Sequence, residues 1–394
     1  MKKIIIFSLV LITIIATAGV VVAMGTEKTS DENSRYLIKS NNSFLKIMYG
    51  VNHNFDNGFT TNLTPGQLKV LEKFGIETEE VLLYHILAPP GACSPWPECK
   101  NNLEPDPEPN PEERSCYPST PKPYGITMVN GGSGGVGINV AVLDTGALTT
   151  HPDLDVKMCK DATGRKIKNG CSDINGHGTH VAGTIAANGG SDGLGIFGVA
   201  PEANLWAIKV CGLTGCWTDD IAAGIRYTTD QGVNIISMSL GGNTESSLIK
   251  DAIDYAVGKD VLIVAAAGND GPADGSIDYP AANAKVIAVG AIDSAKIVPS
   301  WSSRGINDGD YVIEEKEVEF GAPGVSIEST YKDGCYAYGS GTSMATPHIT
   351  GLAAKLWDTD AVTTRTKLQE LAKLHDLHIA GDDTATGFGL PIAP

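Results

Sequence analysis

The chain has 394 residues, 42% hydrophobic and 19% charged, an ordinary globular composition with room for one large domain and a smaller one. Its formal net charge is −17 at pH 7. Because an acidic surface repels the phosphate backbone, this charge argues against a nucleic-acid partner.

The chain opens with an apolar run. Two lysines precede residues 4–23, which are almost wholly apolar, and small residues follow. We interpret residues 1–23 as a signal peptide, cut after Ala18 or Ala23, which predicts a secreted, extracellular protein. The run is about as long as a membrane span, so a retained anchor at the outer face of the membrane is the alternative.

Eight cysteines fit an oxidising compartment outside the cell. They are Cys93, Cys99, Cys116, Cys159, Cys171, Cys211, Cys216 and Cys335. An even number favours disulfides, and the sequence has no C-x-x-C pair or Cys/His cluster that would favour a metal. The close pairs Cys159 with Cys171, and Cys211 with Cys216, are the ones we expect, although eight cysteines leave many connectivities open.

Residues 35–87 predict a small α+β unit. The stretch RYLIKSNNSFLKIMYGV predicts two strands around a turn at 40–43. In TPGQLKVLEKFG, a cap-like Thr64, Pro65 in the first turn and a terminal Gly75 predict a helix. EEVLLYHIL, at 79–87, predicts a final strand. Residues 88–123 are rich in proline and acidic residues without an apolar period, which predicts an extended linker.

Residues 124–394 predict an α/β domain. The runs INVAVLD, NLWAIKV, VNIISMSL, VLIVAAAGN and KVIAVGAI have the length and continuous apolar character of buried strands. HGTHVAGTIAAN, TDDIAAGIRYTTDQG and SSLIKDAIDYAVGKD alternate with them and predict helices. This alternation indicates a mostly parallel sheet with helices on both faces. GDYVIEEKEVEF, at 309–320, is charged and alternating and predicts an edge hairpin.

Three familiar patterns do not carry a function here. Residues 132–137 match G-x-G-x-x-G, but they precede a strand, whereas a dinucleotide fingerprint follows one. His177 and His180 stand among Gly and Thr without H-E-x-x-H, which argues against zinc. The G-x-S-x-G elbow of α/β hydrolases is absent around Ser343.

Three polar residues in separate segments supply the groups of a nucleophilic site. Asp144 follows an apolar strand, His177 opens an apolar helix between glycines, and Ser343 stands at a helix start. Taken singly, each has a structural alternative: a turn cap, a structural histidine and a helix cap. Together they supply a hydroxyl, an imidazole base with a pKa near neutrality and a carboxylate that orients the base. Asn269, after another apolar strand, could donate to an oxyanion or form a turn.

These segments resemble those of subtilisin-like serine proteases, the subtilases. The similar motifs are VLDTG, GHGTHVAGTIA, SMSLGG, VAAAGN, FGAPGV and GTSMATPH, in family order over nearly all of 124–357. The resemblance implies a triad of Asp144, His177 and Ser343, with Asn269 and the Ser343 N–H as oxyanion hole. It also implies that Ser239, Leu240 and Gly241, and the stretch after Ile208, pair with an extended substrate as added β-strands.

The same resemblance implies how the protein is made and matured. Residues 35–87 resemble the family's inhibitory propeptide, and residues 124–394 its catalytic domain. The chain would then be a secreted serine endopeptidase, active on proteins and peptides as a monomer, and made as a precursor that cuts itself between about residues 87 and 122. The alternatives are an esterase with the same triad, a catalytically silent binding protein, and a precursor whose 35–87 unit acts as a free-standing inhibitor.

Two further sites follow from the resemblance. Residues 187–201 resemble a calcium loop, in which the Asp192 carboxylate and the Leu194 and Ile196 carbonyls, with Asp153 of HPDL, would bind Ca²⁺. The alternative is a glycine-rich surface loop.

GSIDYP, at 275–280, resembles the wall of the primary specificity pocket. Carboxylates of Asp278 and Asp270 there would favour Lys or Arg before the cleaved bond, as an acidic pocket does in trypsin. Otherwise they are solvated surface residues, and a large apolar residue is preferred.

Overall fold

The computed structural model describes residues 34–87 and 116–394. The strands are β1 Ser34–Ile38, β2 Asn54–Phe55, β3 Gly58–Leu63, β4 Thr78–Glu80, β5 Leu83–Ile86, β6 Asn139–Asp144, β7 Val156–Asp161, β8 Lys168–Asn169, β9 Asn204–Lys209, β10 Cys216–Trp217, β11 Ile235–Met238, β12 Leu240–Gly241, β13 Leu262–Ala266, β14 Ile287–Ile292, β15 Phe320–Pro323, β16 Ile327–Thr330 and β17 Tyr336–Gly339. The helices are α1 Ser43–Tyr49, α2 Pro65–Lys73, α3 Tyr124–Met128, α4 His177–Ala186, α5 Thr218–Asp230, α6 Ser247–Val257, α7 Thr342–Lys355 and α8 Ala361–Lys373.

Within these ranges, no helix has both the length and the apolar character needed to cross a membrane. The predicted signal peptide or anchor at 1–23, and the predicted linker as far as residue 115, lie outside the described residues.

Eight strands form the central sheet, in the order β15-β14-β13-β11-β6-β9-β7-β8. Every neighbouring pair is parallel except β7 with β8. The five predicted apolar runs form the contiguous strands β14, β13, β11, β6 and β9, so the predicted mostly parallel sheet is confirmed. The carboxyl ends of parallel strands meet at one edge, which brings the residues after β6, β11 and β13 to the same side of the molecule.

Helices cover both faces of this sheet, as predicted. Along β6, Val140 and Val142 pack into one apolar cluster with α4 and α7, whereas Ala141 and Leu143 pack into a second cluster with α5 and α6. Both faces of the strand are therefore buried, which explains its continuous apolar sequence.

The 34–87 unit is a four-stranded antiparallel sheet, in the order β2-β3-β1-β4, with α1 and α2 on one face. The predicted helix is α2. The Thr64 hydroxyl accepts the Gln67 N–H, and the Gln67 side chain accepts the Thr64 N–H, which together make a capping box.

The second strand predicted in 35–51 is wrong, because residues 43–49 form helix α1. The Asn42 side chain caps it by accepting the Phe44 N–H at 2.8 Å. In a strand, Leu45 and Ile47 would share a face, but Leu45 is 6% exposed and Ile47 is 83% exposed. The helical period separates these two residues, and only one face is covered.

The final strand predicted at 79–87 is two strands. Strand β4 pairs with β1 of its own unit, whereas β5 leaves that sheet and pairs with β10 and β12 of the catalytic domain. Sequence alone does not reveal this division, because both halves have the composition of a strand.

The hairpin predicted at 309–320 is also wrong. Residues 309–319 form bends and a turn, and Phe320 begins β15, which pairs in parallel with β14. The consecutive residues Glu317 and Val318 are both buried, which a half-exposed hairpin does not allow. The Asn307 side chain donates to the Val318 carbonyl and accepts its N–H, taking the place of a strand partner.

Both expected disulfides form. Cys159 is bonded to Cys171, and Cys211 to Cys216. A third bond, Cys116–Cys335, links the predicted linker to the residue that precedes β17 of the catalytic domain. Cys93 and Cys99 lie outside the described residues.

Candidate active site

Asp144 and His177 form a buried pair at the carboxyl edge of the sheet. Asp144 ends β6 and His177 begins α4, and their Oδ1 and Nδ1 atoms are 2.8 Å apart. The Asp144 and His177 side chains are 0% and 3% exposed. The Thr145 N–H also donates to Asp144 Oδ1, at 2.7 Å. This arrangement fixes the imidazole ring and leaves Nε2 as its second nitrogen for chemistry.

Glycines on both sides of His177 allow this close approach. A Cβ on Gly178 would collide with the Gly146 carbonyl and lie 3.1 Å from Asp144 Oδ1. Gly176 has φ 104°, and a Cβ there would collide with the Tyr331 ring. The turn into α4 is therefore restricted to residues without a side chain.

A carboxylate that the sequence analysis did not single out, Asp173, organises the same turn. It accepts hydrogen bonds from the Gly176 N–H, from the Thr179 N–H and hydroxyl, and from the Thr145 hydroxyl. Burial alone would raise the pKa of Asp173, but these hydrogen bonds hold it below its usual value. An Asp before an Asn-Gly pair at a helix start is a capping signal that could have identified it.

His180 has a structural environment distinct from that of His177. Its Nε2 lies 2.9 Å from the Ile327 carbonyl and 3.1 Å from the Ala337 carbonyl, on β16 and β17. Burial lowers the pKa of His180 to about 3. The ring is therefore neutral and holds the β16–β17 hairpin against α4.

Ser343 is the second residue of α7, where a backbone N–H has no intrahelical acceptor. Pro347 lies inside α7, at a position where an ordinary N–H would bond to the Ser343 carbonyl. That carbonyl instead accepts the Ser239 hydroxyl at 2.8 Å. Pro347 thus frees an acceptor through which Ser239 fixes the backbone of Ser343. Helices α4 and α7 pack against each other.

Asn269 is oriented by the residue next to Ser343. Its Oδ1 accepts the Thr342 N–H at 3.0 Å and the Thr342 hydroxyl at 3.1 Å. Its Nδ2 is buried and has no hydrogen-bond partner within residues 34–87 and 116–394. A buried donor without a partner is costly, so this group is a candidate donor to a substrate oxygen. Thr342 was not singled out from the sequence, because its role depends on this contact.

The chain's own residues 83–87 lie in the groove beside Ser343. Strand β5 pairs on one side with β10 and on the other with β12, where Leu240 faces Ile86 and Gly241 faces His85. The Leu87 carbonyl then accepts the Ser343 hydroxyl at 3.0 Å, and the Ser239 carbonyl is 3.1 Å from the same hydroxyl. An extended segment thus adds a strand between two edges and presents a carbonyl to Ser343.

Of the two aspartates considered for the specificity pocket, Asp278 is the one beside Leu87. A Cβ on Gly241 would lie 3.1 Å from the Asp278 Cβ and 3.4 Å from Leu87 Cδ1. Burial, and then the negative charge of Asp270, raise the pKa of Asp278 to about 7. Asp270 itself is exposed, and its N–H donates to the Ser303 hydroxyl.

The predicted calcium loop wraps around Asp153. This carboxylate is buried, and its Oδ2 accepts the Ile196 N–H at 2.8 Å and the Tyr336 hydroxyl at 2.7 Å. A Cβ on Gly195 would collide with the Asp153 carboxylate, so the loop comes as close to it as a residue without a side chain permits.

Asp192 lies on the same loop and is exposed, with its Oδ1 accepting the Leu194 N–H. A Cβ on Gly190 would lie 2.9 Å from Asp153 Oδ1 and 3.5 Å from Asp192 Oδ1. The two carboxylate oxygens therefore approach one small cradle, and hard oxygen donors of this kind fit Ca²⁺. The Ile196 carbonyl accepts the Gly189 N–H.

Known proteins are similar to this chain in both sequence and fold. Residues 135–389 match the model of the subtilase family, Peptidase_S8. A protein named Subtilisin from Bacillus sp. (strain TA39) is 42% identical over 95% of this chain and 93% of its own length. M-protease of Shouchella clausii (strain KSM-K16) is 39% identical over 68% of this chain and 65% of its own.

Two solved structures, an S41 psychrophilic protease and Sphericase, are 47% and 49% identical. Each superposes with a TM-score of 0.68 over 70% of this chain and 99% of its own. The parallel sheet, the match over most of the catalytic domain and these identities lead to one conclusion: the chain belongs to the subtilase family and is a serine endopeptidase.

Proposed function

We propose that the protein is an exported endopeptidase that hydrolyses peptide bonds in proteins and peptides through Asp144, His177 and Ser343, and that it is made as a precursor which cuts itself. The observation that carries the proposal is the Leu87 carbonyl 3.0 Å from the Ser343 hydroxyl, at the end of a strand held between β10 and β12. Residues 1–23 would direct export, as a cleaved signal or a retained anchor.

In the proposed reaction, the Ser343 Oγ attacks the scissile carbonyl carbon while His177 takes the hydroxyl proton. His177 then gives that proton to the leaving amine as the C–N bond breaks, and an acyl-enzyme remains. Water, activated by His177, attacks the ester and restores Ser343. Asp144, which accepts from His177 Nδ1, holds the ring in the correct tautomer and stabilises the imidazolium.

The oxyanion formed in each half-reaction would be stabilised by two donors. Asn269 Nδ2 is the first, since its Oδ1 is held by Thr342. The Ser343 N–H at the start of α7 is the second, where the helix dipole also favours negative charge. Removal of one side-chain donor of this kind raises the barrier by about 2.7–4 kcal/mol, a magnitude measured on subtilisin itself.

The maturation cut would follow Leu87, within the range of about 87 to 122 that the sequence left open. Strand β5 brings the Leu87 carbonyl to Ser343 without rearrangement of the described chain. The mature enzyme would then begin at Ala88 and keep the acidic proline-rich stretch. The 34–87 unit, still seated in the groove, would act as the inhibitory propeptide.

Asp278 would give the primary pocket a preference that changes with pH. When its carboxyl group is protonated, the pocket suits an apolar side chain such as that of Leu87. When it is ionised, the pocket suits Lys or Arg. The preference for an apolar residue and the preference for Lys or Arg would then each hold in a different pH range. Asp270, which is exposed, would contribute only weakly to the binding of Lys or Arg.

Ca²⁺ would be held by the Asp153 and Asp192 carboxylates and the Leu194 and Ile196 carbonyls. The ion would stabilise the loop between α4 and β9 and take no part in the reaction. Chelation with EDTA should therefore lower the melting temperature of the wild type and leave Asp153→Asn unchanged.

The proposed activity is tested by expressing the wild-type precursor beside Ser343→Ala. The wild type should shorten itself and degrade casein, whereas the variant should remain full length and inactive. A Ser343→Ala precursor that still cuts itself and degrades casein would overturn the assignment of Ser343. A wild type that cleaves only small esters would favour an esterase, and one without any hydrolysis a binding protein.

A further inference from the structure

A buried charged cluster joins the 34–87 unit to helix α5. The Arg35 Nη1 donates to Asp219 Oδ1 at 2.8 Å and to Asp220 Oδ1 at 2.9 Å. The Arg35 guanidinium also lies over the Trp217 ring, 4.9 Å from its centroid. One arginine therefore contacts two carboxylates and an aromatic face, the combination that a planar guanidinium recognises better than an ammonium does.

Two more side chains of the 34–87 unit complete the cluster. His53 Nε2 lies 2.9 Å from Asp220 Oδ1, and the Thr60 hydroxyl donates to Asp219 Oδ2 at 2.7 Å. His53, Asp219 and Asp220 are close enough to suggest a metal site. The Arg35 guanidinium already contacts both carboxylates and supplies the positive charge that a metal would bring.

The cluster is buried, so its charged groups depend on one another for stabilisation. Asp219 and Asp220 are 0% and 1% exposed, and the Arg35 side chain is 15% exposed. Burial, and the nearby charge of Asp219, raise the pKa of Asp220, whereas His53 and Arg35 act to lower it, so these two partners favour the ionised carboxylate. Within the described residues, the ion pairs of the two aspartates are with Arg35, and Asp220 also contacts the His53 ring. The catalytic domain thus presents two carboxylates whose cationic partner, Arg35, comes from the unit that covers them.

We propose that Asp219, Asp220 and Trp217 form a guanidinium-binding site on the catalytic domain, outside the reacting groups, and that Arg35 occupies it to keep the 34–87 unit bound after the chain has been cut. The inference rests on the proposed self-cleavage. Trp217 lies on β10, where it pairs with Leu83, four residues before Leu87. The site therefore adds a side-chain contact with the 34–87 unit to the backbone pairing of β5 with β10 and β12.

The guanidinium-binding site should mainly slow the dissociation of the cut 34–87 unit from the catalytic domain. Truncating one partner of a buried, hydrogen-bonded charge pair leaves the other charge buried and unpaired, and this raises the off-rate. When the unit leaves, water reaches Asp219 and Asp220 again, and their position in the first turn of α5 is favourable for negative charge. Loss of Arg35 thus penalises the bound state much more than the separated one.

The same interface offers a matched control. Arg226 Nη1 and Asp56 Oδ2 are 3.0 Å apart, but the Asp56 side chain is 85% exposed. Exposed pairs contribute little. Arg35 and Asp56 both lie in the 34–87 unit, so substitutions at either position leave the mature enzyme chemically identical. Final activity then reports how much enzyme folded, and the delay before activity reports how long the unit stayed bound.

The test follows full-length precursors of the wild type, Arg35→Gln, Arg35→Lys and Asp56→Asn from the cut to full activity. Gel filtration at intervals measures the fraction of 34–87 fragment that co-elutes with the enzyme. Arg35→Gln should shorten the delay between the cut and full activity at least tenfold. Arg35→Lys should restore only part of the wild-type delay, and the delay of Asp56→Asn should stay within twofold of that of the wild type.

If the wild type cuts itself and the delay of Arg35→Gln is within twofold of the wild-type delay, the guanidinium site is overturned and the proposed activity stands. If Arg35→Gln yields no processed enzyme, the same delay is measured on Asp219→Asn, and a delay as long as that of the wild type again overturns the site. A wild type that never cuts itself instead contradicts the proposed function.

Discussion

The catalytic domain and the 34–87 unit bury their apolar residues in different ways. The eight-stranded sheet of the domain has its own helices on both faces, whereas the four-stranded sheet of the unit has its own helices on one face only. The other face contributes Leu37 and Phe55 to a core cluster of the catalytic domain, which Tyr84 of β5 also joins. The unit is therefore completed by the domain that it covers, so its release separates part of a shared core.

The largest expected effect belongs to the catalytic domain alone. Asn269→Ala removes the proposed oxyanion donor, so kcat should fall by about 10²–10³, while the 34–87 unit stays bound as long as in the wild type. Steady-state kinetics on a peptide substrate, with gel filtration of the cut complex, measures both. A variant that keeps wild-type kcat would remove Asn269 from the mechanism.

The next effect separates the two cores. Leu37 is 0% exposed and packs against the catalytic domain, whereas Leu45 packs inside the 34–87 unit. Leu37→Ala should weaken the bound state by about 2–5 kcal/mol and speed release of the cut unit, with mature activity unchanged. Leu45→Ala should instead destabilise the unit itself and lower the yield of processed enzyme. Equal yields and equal release rates in both variants would contradict the shared core.

The smallest effect is at the contact between the two regions, where Leu87 lies beside Asp278. The pKa of Asp278 is raised to about 7, so its carboxyl group ionises as pH rises through that value. The ratio of kcat/KM for Lys over Leu before the cleaved bond should rise about tenfold from one pH unit below to one above this pKa. Paired peptides assayed across this range measure it. Asp278→Asn should flatten the ratio, whereas Asp270→Asn should keep the rise and move it to lower pH, because the charge that raises the pKa of Asp278 is removed. A flat wild-type ratio would remove Asp278 from selectivity.

The two regions also differ in how far sequence predicts them. Strands such as β6 are buried on both faces by their own domain, so their apolar runs are continuous and easily recognised. Helix α1 was missed because Leu45 is buried and Ile47 is not, a difference that depends on what covers the helix. The division of 79–87 into β4 and β5 depends on a partner strand far away in the sequence.

The residues of the candidate site also differ in how far sequence predicts them. Asp144, His177, Ser343 and Asn269 could be predicted as site residues from sequence because each follows a strand or begins a helix, next to glycine or threonine. Asp173 contacts Thr145 and Thr179 beside the Asp144–His177 pair, Thr342 contacts Asn269, and Arg35 contacts a helix that is distant along the chain. Such roles emerge only when the fold brings the partners together.

The most direct test of the central claim is to locate the cut in the wild-type precursor. Intact mass spectrometry and N-terminal sequencing of freshly self-processed protein should give a mature chain that begins at Ala88 and a released fragment that ends at Leu87, with neither species formed by Ser343→Ala. A first cut within residues 89–122 would contradict the assignment of Leu87 as the residue presented to Ser343.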